Sequence, residues 1–170
     1  GCNTLEEFSN VTVYAENIIA DSEQGSSSAF GMARYLQGYT HDCEVNVKNE
    51  IKAVNEEGDA EEDVYAYSNG DAYAYGFMLN TGGWSIDSRR NFENNTVNVG
   101  AITARTDSET YAGAAFASGF AHQMMNTASS VPDLSYNHNK VNIMEGDITA
   151  NANAGGAVAA GFVTSSGRDY

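Results

Sequence analysis

The stretch VNIMEGDITANANAGGAVAAGF, residues 141–162, decides the fold because its two halves recur three times upstream. The first half is a β-type run that closes on alanine: VTVYAENIIA ending at Ala20, VNVKNEIKA at Ala53, VNVGAITA at Ala104 and VNIMEGDITA at Ala150. The second is a short signature with glycine inside apolar residues. It reads Ala29-Phe30-Gly31-Met32, Ala74-Tyr75-Gly76-Phe77, Ala117-Ser118-Gly119-Phe120 and Ala159-Ala160-Gly161-Phe162. Recurrence at a few tens of residues means one structural unit stacked on itself. Between the anchors the spacing varies: Ala20 to Gly31 and Ala150 to Gly161 are equally short, while Ala53 to Gly76 is much longer. Constant short pieces joined by variable connections describe a rigid scaffold with loop insertions.

Within the runs, apolar residues alternate. Val97 and Val99 stand against Thr96 and Asn98, and Val141 and Ile143 against Lys140 and Asn142; Val11/Val13 and Val45/Val47 follow suit. A period of two predicts strands with one buried face. The signature pieces SSSAFGMARYL and YAGAAFASGFAHQMM carry enough alanine to read as helices. The recurrent central glycine and the alternation of Tyr73, Tyr75 and Phe77 with Ala72, Ala74 and Gly76 favour strands instead. The small face of such a strand lets another layer of backbone approach closely, which explains Gly31, Gly76, Gly119 and Gly161. The expectation is an all-β domain over residues 1–170, a β-solenoid or parallel β-helix-like stack of about four imperfect repeats near 10–38, 43–80, 94–122 and 138–165, with long loop insertions. A closed or sandwich-like all-β domain with internal repeats is the alternative.

Composition agrees. The 17 Gly and 10 Tyr, with a single Pro, are the vocabulary of short strands and polar turns, and long amphipathic helices would need more than Leu5, Leu36, Leu79 and Leu134. A net charge of −15, from 8 Lys+Arg against 23 Asp+Glu, opposes nucleic acid and anionic lipid as partners. No apolar run is long enough for a membrane span.

The fourth copy, VNIMEGDITANANAGGAVAAGF, and the third, NNTVNVGAITA followed by AGAAFASGF, resemble the GLUG-type repeats of microbial surface proteins. Those repeats read approximately Asn-Cys-x-Asn-x-Gly-x-Ile-x-Ala, a variable piece, then a Gly-rich apolar strand. The resemblance covers most of residues 10–163 and implies a parallel β-solenoid on an adhesin-like or structural surface protein, with no catalytic residues to carry over. The chain departs from that pattern where the closing Gly is expected, at Leu79, His122 and Thr164, and in its longer insertions.

Few residues suggest chemistry. There is no P-loop, no G-x-G-x-x-G opening a helix and no H-E-x-x-H, and Gly82-Gly83-Trp84-Ser85-Ile86 is followed by Asp87, not the glycine of a nucleophile elbow. No carboxylate pair is singled out for glycoside hydrolysis. Cys2 and Cys43 read as one disulfide, and Asn10 and Asn94 as glycosylation acceptors in Asn-x-Thr sequons. Glu56, Glu57 and Asp59 open an acidic stretch that makes them calcium candidates without EF-hand spacing; no other cofactor is expected. Trp84, Tyr65 and Tyr67 are the candidate ligand contacts, with Tyr73 and Tyr75 extending an aromatic stripe. A Thr ladder of the ice-binding kind is interrupted, since Thr103 and Thr149 align with Ile19 and Lys52.

The expected function is therefore non-enzymatic. A stack of repeats has two open edges, and the last copy shows no charged amphipathic cap. An extracellular or cell-surface structural subunit that associates with copies of itself into a filament, sheath or surface layer is the leading expectation. A cell-surface adhesin that binds glycan or a surface protein through its long loops is the alternative.

Overall fold

The computed structural model describes residues 7–23, 25–36, 38–56, 70–80, 90–107, 113–125 and 134–167. The chain passes four times through the same sequence of strands. The first tier holds β1 (Glu7–Ser9), β2 (Thr12–Ser22), β3 (Ser27–Phe30) and β4 (Ala33–Tyr35). The second holds β5 (Tyr39–His41), β6 (Glu44–Asn55), β7 (Ala72–Tyr75) and β8 (Met78–Asn80). The third holds β9 (Arg90–Glu93), β10 (Thr96–Thr106), β11 (Ala115–Ser118) and β12 (Ala121–Met125). The fourth holds β13 (Leu134–Asn137), β14 (Lys140–Ile143), β15 (Ile148–Ala152), β16 (Ala157–Ala160) and β17 (Val163–Gly167).

Each sheet takes one strand position from every tier, in the orders β1-β5-β9-β13, β2-β6-β10-β14/β15, β3-β7-β11-β16 and β4-β8-β12-β17. Every pair is parallel, so the molecule is all-β with four parallel sheets, a β-solenoid-like arrangement; a sandwich is built on antiparallel neighbours. The two alanine-rich signature pieces are strands, as their central glycines led us to expect, on either side of a bend: β3/β4 and β11/β12.

The register explains the repeats. In the longest sheet Val13, Val45, Val97 and Val141 form one inward column; Ile18, Ile51, Ile102 and Ile148 form a second, and Ala20, Ala53, Ala104 and Ala150 a third. Burying each Val or Ile contributes about 1.5–3 kcal/mol, and the second- and third-tier members of these columns have no exposed surface. Strand β6 carries one residue more than β2 and β10 between its two inward pairs, and the register shifts there in both pairings. Gly100 accommodates that bulge: a Cβ on it would overlap the Asn49 carbonyl.

Opposite these Val and Ile columns the third sheet presents only small residues inward. Ala29, Ala74, Ala117 and Ala159 share one register position, and the glycines follow. A ring column then fills the corner: Phe77, Phe120 and Phe162 stack face to face, with centroids 4.7 and 4.8 Å apart and planes within 6°. Here one expectation needs correcting. Tyr73, Tyr75 and Phe77 do not share a face, because the chain bends at Gly76–Phe77 and turns Phe77 into the core. Alternation counted across a bend loses its meaning.

Candidate interaction surfaces

The glycine column lies at the bend between the third and fourth sheets. A Cβ built on Gly31 would fall well inside 3.0 Å of the Gly76 carbonyl oxygen; Gly76 stands so to Gly119, and Gly119 to Gly161. The same three positions would also crowd Val45, Val97 and Val141. Gly31, Gly76 and Gly119 are therefore glycines because the tiers approach too closely for any side chain. Gly161 is different. It is exposed, and a Cβ there would meet nothing within 4 Å.

That difference marks an end of the stack. Val141, Ile143, Ile148, Ala150, Phe162 and Val163 of the fourth tier are only partly buried, as are Val13, Ala15, Ile18, Ala20 and Met32 of the first. The equivalent residues of the two inner tiers, among them Val47, Ile51, Phe77, Val99, Ile102 and Phe120, are fully covered. Two half-covered apolar faces are thus present among the described residues, one at each end.

The corner before the longest sheet holds a buried amide ladder that no sequence pattern announced. Asn95, wholly buried, accepts from the Cys43 N–H through Oδ1 (3.1 Å) and donates through Nδ2 to the Thr40 carbonyl (3.0 Å) and to Asn139 Oδ1 (2.8 Å). Asn139 Oδ1 also accepts from the Asn95 N–H (3.0 Å), while Asn139 Nδ2 donates to the Phe92 carbonyl (2.8 Å). Each amide satisfies backbone groups that the turn takes out of the sheets. Cys43 and Val11 occupy the equivalent positions of the earlier tiers. Just before them runs a column of left-handed residues: Asn10, Asp42, Asn94 and His138, with φ between 52° and 56°. Asn, Asp and His are the non-glycine types that tolerate this conformation best, so the turn itself accounts for Asn10 and Asn94. Both are exposed.

Two polar clusters lie on the outside. On the first sheet, the imidazole of His41 is held between carboxylates: Nδ1 is 2.7 Å from Asp42 and Nε2 is 3.1 Å from Glu7 of the neighbouring tier. A neutral ring could donate to only one of them, so the geometry is that of the imidazolium. The hydrogen bond to Asp42, and then that to Glu7, raise the His41 pKa, and its bonds to them hold both carboxyl groups below their usual range. Tyr39 stacks on this ring at 4.2 Å and donates to Glu93 (2.7 Å).

On the third sheet, Tyr73 and Phe116 stack across tiers at 5.4 Å, and His122 meets both edge-on. Burial lowers the His122 pKa, opposed by Asp71. Thr164 Oγ1 donates to the His122 carbonyl (2.9 Å), so it accepts from Nδ1–H (2.7 Å). Tyr73 donates to Asp71 Oδ2 (2.8 Å), and burial, followed by that bond, pushes its hydroxyl up to about 12. Tyr73 is half-buried in this cluster, while Tyr75 beside it has no exposed surface; Tyr65 and Tyr67 lie outside the described residues, as does Trp84.

Of the expected Cys2–Cys43 bridge the structure describes one end. Cys43 is a buried free thiol whose Sγ lies 3.3 Å from the His41 carbonyl, and Cys2 lies outside the described residues. Of the calcium candidates, Glu56 is exposed at the end of β6, and Glu57 and Asp59 lie outside the described residues. Among the described residues no group of three or more His, Cys, Asp or Glu could hold a metal ion, and no helix is long and apolar enough to cross a membrane. Comparison with protein-family models, curated proteins and solved structures gave no match, so the likeness to GLUG-type repeats rests on the residues that carry it.

Proposed function

We propose that this chain is a non-enzymatic structural subunit that works outside the cell and assembles with copies of itself into a filament, sheath or surface layer. We take the finer reading of the fold with it: the four sheets are the walls of one continuous parallel β-solenoid. The observation that supports assembly is the contrast at the glycine column, where three positions are filled by the next tier and Gly161 faces open space. A row of unpaired strand edges backed by half-covered Val, Ile and Phe is a template for further strands. A glycan on Asn94, in the third tier, would hang from an outer corner away from both ends of the stack. Sedimentation velocity and light scattering of the purified chain at physiological salt test the reading. Assembly into large species that grows with concentration is expected; a monomer at high concentration contradicts it.

The Tyr73–Phe116–His122 cluster favours one second reading, an adhesin or binding module for glycan or a surface protein. Aromatic faces beside hydrogen-bonding groups suit sugar rings. Glycan binding that is lost in Phe116→Ala or Trp84→Ala, with no assembly of the parent chain, would support it.

A further inference from the structure

Resting on the self-assembly reading, we infer how the copies meet: the fourth tier of one chain is completed by the first tier of the next, stacked head to tail in the same parallel register. Hydrogen-bond polarity is the first argument. At the bend every tier donates forward. Gly31, Gly76 and Gly119 N–H donate to Tyr75, Ser118 and Ala160, and Met32, Phe77 and Phe120 N–H donate to Phe77, Phe120 and Phe162. In the fourth tier the same amides, Gly161 and Phe162, have no further tier to reach among the described residues. The acceptors that would continue the pattern are the Phe30 and Met32 carbonyls, on the free edge of the first tier. At the start of the longest sheet the polarity is reversed: Glu44, Thr96 and Lys140 N–H donate back to Val11, Cys43 and Asn95. There the pair without a neighbouring tier among the described residues is the Asn139 carbonyl at one end and the Thr12 N–H at the other. Each end thus presents what the other lacks.

Shape gives the second argument. The space beside Gly161 is the space that the Gly76, Gly119 and Gly161 carbonyls occupy beside their neighbours, so the Gly31 carbonyl of a second copy fits it. The columns continue. Phe162, stacked on Phe120 on one face, would receive Met32 on the other, a favourable sulfur–aromatic contact. Val141 would meet Val13, Ile148 would meet Ile18 and Ala150 would meet Ala20. The buried amide ladder would stop at Val11, as it already stops within the chain, where Cys43 follows Val11 without an amide. Because the two faces differ, the contact is heterologous and propagates as an open filament instead of closing as a dimer.

Gly161→Val tests this directly. In the isolated chain the new side chain meets open space, so the thermal midpoint should stay within a degree or two of the parent. Across the junction it would strike the Gly31 carbonyl, so assembly should fall at least tenfold at equal concentration. A second arm uses Thr12→Cys with Lys140→Cys, outward residues that the register makes neighbours across the junction. Parallel strands about 4.8 Å apart place such pairs within disulfide reach. The double variant should form covalent ladders under oxidation and each single variant should not. If the parent assembles and Gly161→Val assembles equally well without ladders in the double variant, head-to-tail stacking is overturned while self-assembly stands. If the parent remains monomeric, both fall. If Gly161→Val unfolds as readily as Gly119→Val, the space beside Gly161 is not free and the inference falls.

Discussion

Asn95 shows how much one residue can hold. Its side chain serves the Cys43 amide, the Thr40 carbonyl and Asn139, in a site with no exposed surface. Replacing it with alanine strands those groups at about 1–3 kcal/mol for each buried partner left unsatisfied. Urea titration of Asn95→Ala should show a loss of at least 2 kcal/mol, roughly two such partners. Asn142→Ala, on the outer asparagine column where Asn142 donates to Asn98, should lose far less because water replaces the bond. In the sequence Asn94-Asn95-Thr96 looked first like a sequon. Nothing in the string distinguishes the exposed, left-handed Asn94 from its buried neighbour, because the distinction is made by the turn. The glycine column was legible for the opposite reason: close approach of the next tier demands Gly at one fixed place, Gly31, Gly76 and Gly119, and a recurring place shows in the string.

Among the elements, the long runs were readable and the short strands were not. β2, β6 and β10 advertise their inward faces through Val and Ile at period two. The strands of the first sheet, EFS, YTH, RNFE and LSYN, are three or four residues each and mostly polar, so no periodicity can develop. Their pairing is set by the tiers on either side. The first of them, β1, is fastened to β5 by the Glu7–His41–Asp42 bridge, and this makes its attachment sensitive to pH. The His41 pKa is raised in the folded chain, so its stabilisation is complete below the ordinary value of 6.5 and fades as pH climbs through the raised one. His122 has the reverse sign. Its pKa is lowered by burial, so folding is penalised as pH falls below 6.5, where the unfolded chain takes up the proton first. Denaturant titrations between about pH 5 and 8 separate the two. The stability difference between the parent and His41→Gln should shrink toward alkaline pH, while that between the parent and His122→Gln should shrink toward acid. Amide exchange at Phe8 and Ser9 should quicken in His41→Gln at the acid end of that range, since β1 then loses its tie. Parallel changes in both variants would contradict the assignment.

At the scale of the whole molecule, charge works against the geometry. A net −15 makes copies repel, and the faces that would meet carry Glu145 and Asp147 on the fourth tier against Glu16 and Asp21 on the first, all exposed. Such repulsion is screened within about 10 Å at 0.1 M salt and about 3 Å at 1 M. Assembly followed by light scattering should therefore speed up several-fold between low salt and about 0.5 M NaCl. An assembly driven by opposite charges would slow instead. The stacking of tiers was legible in the sequence because repeats leave a mark on every unit. The partner was not, since a tier edge is made of backbone groups that every residue carries.

Electron cryomicroscopy of material assembled at physiological salt bears most directly on the stack. Four tiers at about 4.8 Å each give a subunit rise of about 19 Å, with strands perpendicular to the filament axis. Filaments with that rise and with Gly31 of one copy beside Gly161 of the next are the expected result. Only single particles, or fibres whose strands run along the axis, would contradict the account.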